Sequence, residues 1–113
     1  MLLEKIANEE STFFIDASIY DENENAITPT SLTWSLFDTE GNVINSREDV
    51  SIANLSSVVE IVLSGDDLAL SNSETSAMIK RYLVVQGTYD DSNSDSRSLT
   101  EEFIFFIKNL TGI

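Results

Sequence analysis

Apolar and polar side chains alternate with a period of two along most of this chain, and no stretch sustains the spacing of a long amphipathic helix. Phe13, Ile15, Ala17 and Ile19 share one face of a strand expected over 12–20, which the polar run Asp21-Glu22-Asn23-Glu24-Asn25 ends. In the next strand Leu32, Trp34 and Leu36 face one way and Thr33, Ser35 and Phe37 the other. Asp38-Thr39-Glu40-Gly41 predicts a turn, with glycine placed for positive φ, that returns into a short strand around Val43 and Ile44.

Val59, Ile61 and Leu63 alternate with Val58, Glu60 and Val62 over 57–63, and Asp66-Asp67-Leu68-Ala69-Leu70 reads as one helical turn. After a polar loop at 71–76, a strand over 79–89 sets Tyr82, Val84 and Gln86 against Leu83, Val85 and Gly87. The tract 90–98 is almost wholly Asp, Ser and Asn and reads as an exposed loop. The last strand, over 99–108, sets Phe103, Phe105 and Ile107 against Ile104 and Phe106. Both faces of these last two strands are apolar, so they either lie centrally or have one face covered by a neighbouring subunit. Six or seven strands with one proline predict an all-β fold, a small antiparallel β-sandwich. A length of 113 residues suits one domain, 1–113, with 1–10 as a possible N-terminal arm.

The chain has no cysteine and no histidine, which removes disulfides, thiolate nucleophiles, the usual zinc ligands and the side chain best suited to proton transfer near neutral pH. Its 20 acidic and 6 basic residues give a formal charge of -14. That surface repels phosphate backbones and anionic lipid, so no nucleic-acid or membrane partner is expected. What it favours is solubility, cations or a basic protein surface. The opening Met1-Leu2-Leu3-Glu4-Lys5 lacks a signal-peptide apolar segment, which leads to the expectation that the chain is made and kept inside a cell, at least until something else carries it out.

Asp91-x-Asn93-x-Asp95 followed by Glu102 reproduces the oxygen spacing of a twelve-residue calcium loop closed by a bidentate glutamate. Ser96 stands where such loops carry glycine, and the flanks read as strands, so a solvated acidic loop is the competing reading. Asp21-x-Asn23-x-Asn25 repeats the pattern without the glycine or the glutamate. No other cofactor is expected. Trp34, between two leucines, reads as a core side chain between sheets, against the alternative of a sugar-stacking platform. Phe37, Phe106 and Tyr89 are the candidates for aromatics on an outer face, where they would mark a protein contact; burial is the alternative for each. Leu2, Leu3 and Ile6 are candidate anchors in an N-terminal arm, or else pack on the domain's own core. The carboxylate pairs Glu9-Glu10, Asp66-Asp67, Asp90-Asp91 and Glu101-Glu102 read as solvated acids: adjacent residues on a strand point to opposite faces and cannot form a catalytic dyad. No nucleophile–base constellation can be drawn, and the expectation is of a protein without enzymatic activity.

The run Leu32-Thr33-Trp34-Ser35-Leu36-Phe37-Asp38-Thr39-Glu40-Gly41-Asn42-Val43-Ile44 resembles the tryptophan strand and hairpin of immunoglobulin-like sandwiches. Arg81-Tyr82-Leu83-Val84-Val85-Gln86-Gly87-Thr88-Tyr89 and Glu102-Phe103-Ile104-Phe105-Phe106-Ile107 resemble their last two strands, without the disulfide of antibody domains. Small acidic immunoglobulin-like proteins of this type are similar to structural components of tailed bacteriophage particles. The resemblance implies a virion protein made in the host cytoplasm, present in many copies or as a homo-oligomer and bound to capsid, neck or tail subunits. Capsid decoration (cement) is the first expectation and a neck or tail adaptor the next. Two readings from other classes are an acidic DNA-mimic inhibitor of a host protein and a carbohydrate-binding module.

Overall fold

A computed structural model describes residues 2–21, 23–90 and 97–110. The strands are β1 (Ala7–Asn8), β2 (Thr12–Ser18), β3 (Ser31–Phe37), β4 (Val50–Ser51), β5 (Val58–Ser64), β6 (Met78–Tyr89) and β7 (Arg97–Lys108), with a 3-10 helix at Gly65–Leu68. They form two layers: a five-stranded sheet in the order β1-β7-β6-β3-β4 and a two-stranded sheet of β2 and β5. The fold is an all-β sandwich.

Period-two alternation builds the core between the layers. Phe13, Ile15 and Ala17 of β2 and Val59, Ile61 and Leu63 of β5 turn inward against Leu32, Trp34, Leu36, Leu83, Val85, Phe103, Phe105 and Ile107 of the larger sheet. Phe13 and Phe105 stack across the layers with centroids 5.3 Å apart. Each large side chain buried in this way contributes about 1.5–3 kcal/mol. Trp34 is 7% exposed and lies in this core, with the Arg47 guanidinium 5.9 Å from its ring centre.

One inward position carries no side chain. Gly87 pairs with Leu32 of β3, and a Cβ placed on it would lie 1.9 Å from the Ser31 carbonyl oxygen. Here glycine permits a close approach of two backbones.

Several expectations change in detail. The sheet is mixed and not purely antiparallel, because β1 pairs parallel with β7, Ala7 beside Ile107 and Asn8 beside Lys108. Val43 makes a single bridge to Phe37 without becoming a strand, and β3 gains its edge partner farther on, at β4. The intervening chain holds Asn45, Ser46 and Asp49 at positive φ, a conformation that interrupts extended pairing. Gly41 takes φ +83 as the turn requires. β7 begins at Arg97, so the end of the polar tract already belongs to the strand and extends the β6–β7 ladder to Tyr89–Arg97.

Candidate binding surfaces

The outer face of the five-stranded sheet is apolar at its middle. Phe37, Tyr82 and Ile104 stand in register across β3, β6 and β7, and Leu2 bridges Ile104 from the N-terminal side. Directly opposed residues project to the same face, so these four form one cross-strand row. The next row holds Lys80 and Phe106, and the one on the other side holds Val84 and Glu102. The Lys80 ammonium sits 5.4 Å from the Tyr82 ring centre. Phe37 and Phe106 are half-buried, Leu2 is 60% exposed and Ile6 is exposed. A shallow recess of about 370 Å³ runs beside the row, between Phe37, Tyr82 and Val84.

All five candidate anchors (Leu2, Leu3, Ile6, Phe37 and Phe106) thus keep part of their apolar surface in solvent, Leu2 and Ile6 the most, and Phe37 and Leu2 belong to a single row. Leu3 is half-buried against the core and donates its N–H to the Ile104 carbonyl at 2.8 Å. Tyr89 is buried.

A second apolar patch was not singled out from the sequence. On the outer face of the smaller sheet Phe14 and Val62 stand opposite each other, 48% and 44% exposed. One step along, Asp16 stands opposite Glu60. Alternation alone signals both pairs, since they are the residues left over when Phe13, Ile15, Ile61 and Leu63 turn inward.

Of the calcium-loop candidates, Asp91, Asn93 and Asp95 lie outside the described residues, while Glu102 lies within β7 opposite Val84. Among the described residues no group of three or more acidic side chains is placed to hold a metal ion. Asp21, of the related Asp-x-Asn-x-Asn pattern, and Asp38 each close a turn. Asp21 Oδ1 accepts the N–H groups of Asn23 and Asn25, both at 2.9 Å. Asp38 Oδ1 accepts those of Glu40 and Asn42 at 2.8 and 2.9 Å. Desolvation opposes ionisation of Asp38, but these hydrogen bonds, that of the Asn42 side chain and the charge of Arg81 outweigh it and lower its pKa.

Among the described residues, two charged side chains are buried. Asp67, expected as a solvated acid, is 1% exposed. The 3-10 helix turns it inward, where Oδ1 accepts from Arg47 Nε at 2.7 Å and Asn45 Nδ2 at 2.9 Å, and Oδ2 accepts from the Ser64 N–H at 3.1 Å. Desolvation raises its pKa, and these bonds with the Arg47 charge more than reverse the effect. The sequence signal is Ser64-x-x-Asp67, the spacing of a capping box. Arg81 is likewise 1% exposed, in the inward row of β6, and its guanidinium grips Glu74 through two hydrogen bonds. That pairing, with the Ser71 N–H, lowers the Glu74 pKa against the opposing cost of desolvation.

No family model, curated protein or solved structure matches this chain.

Proposed function

We propose that this is a virion structural protein of a tailed bacteriophage, with an immunoglobulin-like sandwich and no enzymatic activity, that decorates the capsid. The observation that carries the reading is the cross-strand row Phe37–Tyr82–Ile104–Leu2, an apolar stripe on the outer face of the larger sheet. An outer sheet face is under no folding requirement to be apolar, and a stripe of this kind, with Lys80 and Glu102 among its flanking residues, suits a protein contact. The charge of -14 suits a component that stays soluble until it meets its particle. Contacts of this modest size gain strength by repetition over a lattice of identical subunits.

The test is cosedimentation of the purified chain with intact and emptied phage capsids. Saturable binding in a fixed ratio to capsid subunits is expected. A chain that stays in the supernatant at every capsid concentration would overturn decoration, and binding to isolated neck or tail complexes would then move the placement there.

A further inference from the structure

The smaller sheet has two strands and therefore two edges, and the register identifies which backbone groups face them. Ile19 donates to the Ser57 carbonyl at 2.7 Å and Gly65 to the Ser11 carbonyl at 3.0 Å, in phase with the pairing of Ile15 with Ile61. The odd-numbered residues of β2 therefore direct their N–H and C=O groups toward β5. Phe14, Asp16 and Ser18 direct theirs away from it, and no hydrogen bond is made by their amides among the described residues.

This edge borders a slot. Two adjoining recesses, about 440 and 240 Å³, run between the end of β2 and the first half of β7, with Tyr20, Leu99 and Phe103 among their walls. Among the described residues, the N-terminal segment covers the edge of β7 from Ile104 onward, where Leu2 bridges it and Ala7 pairs farther along. The opposite wall of the slot is thus also strand edge. Free edges in soluble proteins are ordinarily blunted by charged side chains, proline or a bulge, and the β2 sequence Thr-Phe-Phe-Ile-Asp-Ala-Ser has no lysine, proline or bulge and a single charge, Asp16.

Charge decides what fits. Asp16 lies against Glu60, Glu101 stands across the slot from Asp16, and Asp21 lies at its far end beside Arg97. Like charges directly opposite on a sheet oppose pairing, and a cation on the free side of Asp16 relieves that repulsion. We propose that the β2 edge accepts an extended segment of a partner protein as an added strand, with an apolar side chain beside Phe14 and a lysine or arginine beside Asp16. The main-chain bonds of such an addition supply affinity and the side chains supply selection. The inference rests on the partner-binding role above and names a separate contact from the Phe37–Tyr82–Ile104 row.

The test is residue-resolved amide hydrogen exchange on the whole chain with a blocked nine-residue peptide in which every second residue is threonine and the residues between are in turn valine and lysine, so that valine and lysine share one face as Phe14 and Asp16 do. At saturation the Phe14, Asp16 and Ser18 amides are expected to slow by about tenfold or more, with Glu60 and Val62 unchanged and with no effect from a valine–glutamate peptide. Protection at Glu60 and Val62 instead would place the strand on β5 and overturn the proposal. So would binding that protects no edge amide, or equal protection by the acidic peptide. Asp16→Lys changes an exposed side chain, leaves the fold intact and is expected to weaken the valine–lysine peptide about tenfold or more. Capsid binding separates the two claims: peptide protection absent with decoration intact removes the added strand alone, and protection present in a chain that ignores particles removes the virion role alone.

Discussion

Arg81 Nη1 and Nη2 reach Glu74 Oε2 and Oε1 at 2.6 and 2.7 Å, so a bidentate ion pair occupies a place where alternation along β6 puts a core side chain. Arg81 stands opposite Phe105 on β7 and between Ile79 and Leu83 on its own strand. Its Nε is buried without a hydrogen-bond partner. The pair is therefore costly to break and no clear gain over an apolar substitute.

Glu74→Gln is expected to destabilise the chain by about 3 kcal/mol, because it leaves a buried guanidinium without its counter-charge. The double change Glu74→Gln with Arg81→Met is expected to recover most of that loss. Urea titration of the two variants checks both statements; a double variant less stable than the single one would refute the assignment.

Acid is expected to weaken the fold through the same pair and through Asp67. Both carboxyls have pKa values lowered in the folded chain, from ordinary values of 4.5 and 3.8. A lowered folded pKa contributes stability that is complete above the unfolded value and is lost as pH falls through the folded one. Thermal midpoints should hold steady down to about pH 5 and decline below it. The part of the decline due to Glu74 should vanish in Glu74→Gln.

Asp16→Thr is expected to raise stability by about 0.2–1 kcal/mol by removing one of two opposed carboxylates and adding a side chain suited to strands. The gain should shrink in high salt, where the Asp16–Glu60 repulsion is already screened. Parallel urea titrations at low and high salt measure it.

Gly87→Ala is expected to cost more than the usual benefit of alanine over glycine, because its Cβ would lie 1.9 Å from the Ser31 oxygen. The cost should appear as lost exchange protection at the β3 end of the ladder, near Ser31 and Leu32, before the rest of the sheet is affected.

Tyr82→Asp is expected to abolish capsid binding while costing about 1 kcal/mol of stability, the penalty of an aspartate in a strand, because the half-buried ring lies on the outer face in the middle of the row. A variant that still saturates capsids would remove that row from the interface.

The five long strands were legible because each buries one face, and a buried face writes itself into the sequence as alternation. Trp34 between Leu32 and Leu36 is the plainest instance. The short strands β1 and β4 were not legible: two residues carry no period, and their pairing with β7 and β3 is set by the chain around them. Arg81 was missed because the basic doublet Lys80-Arg81 reads as surface, and the partner that makes its burial tolerable, Glu74, lies in a loop of ordinary polarity. Of the surface, Phe37 and Phe106 were visible as surplus aromatics. The row that joins Phe37 to Leu2 was not, since it depends on the register of four chain segments.

The parallel contact between the first and last strands sets an order of events. Ala7 pairs with Ile107, and the Leu110 N–H donates to Glu9 Oε1 at 3.0 Å, so the segment around 2–9 has its docking site built by the residues 104–110. Bringing such distant parts of a chain together is entropically slow. While this polypeptide is still on the ribosome its leading segment has nowhere to go, and closure of the sheet edge at Ile104 becomes a late step that follows synthesis of β7. A chain caught before that step presents the outer edge of β7 uncovered along its second half, which makes the interval between translation and closure the time at which that edge is most open to capture by another strand.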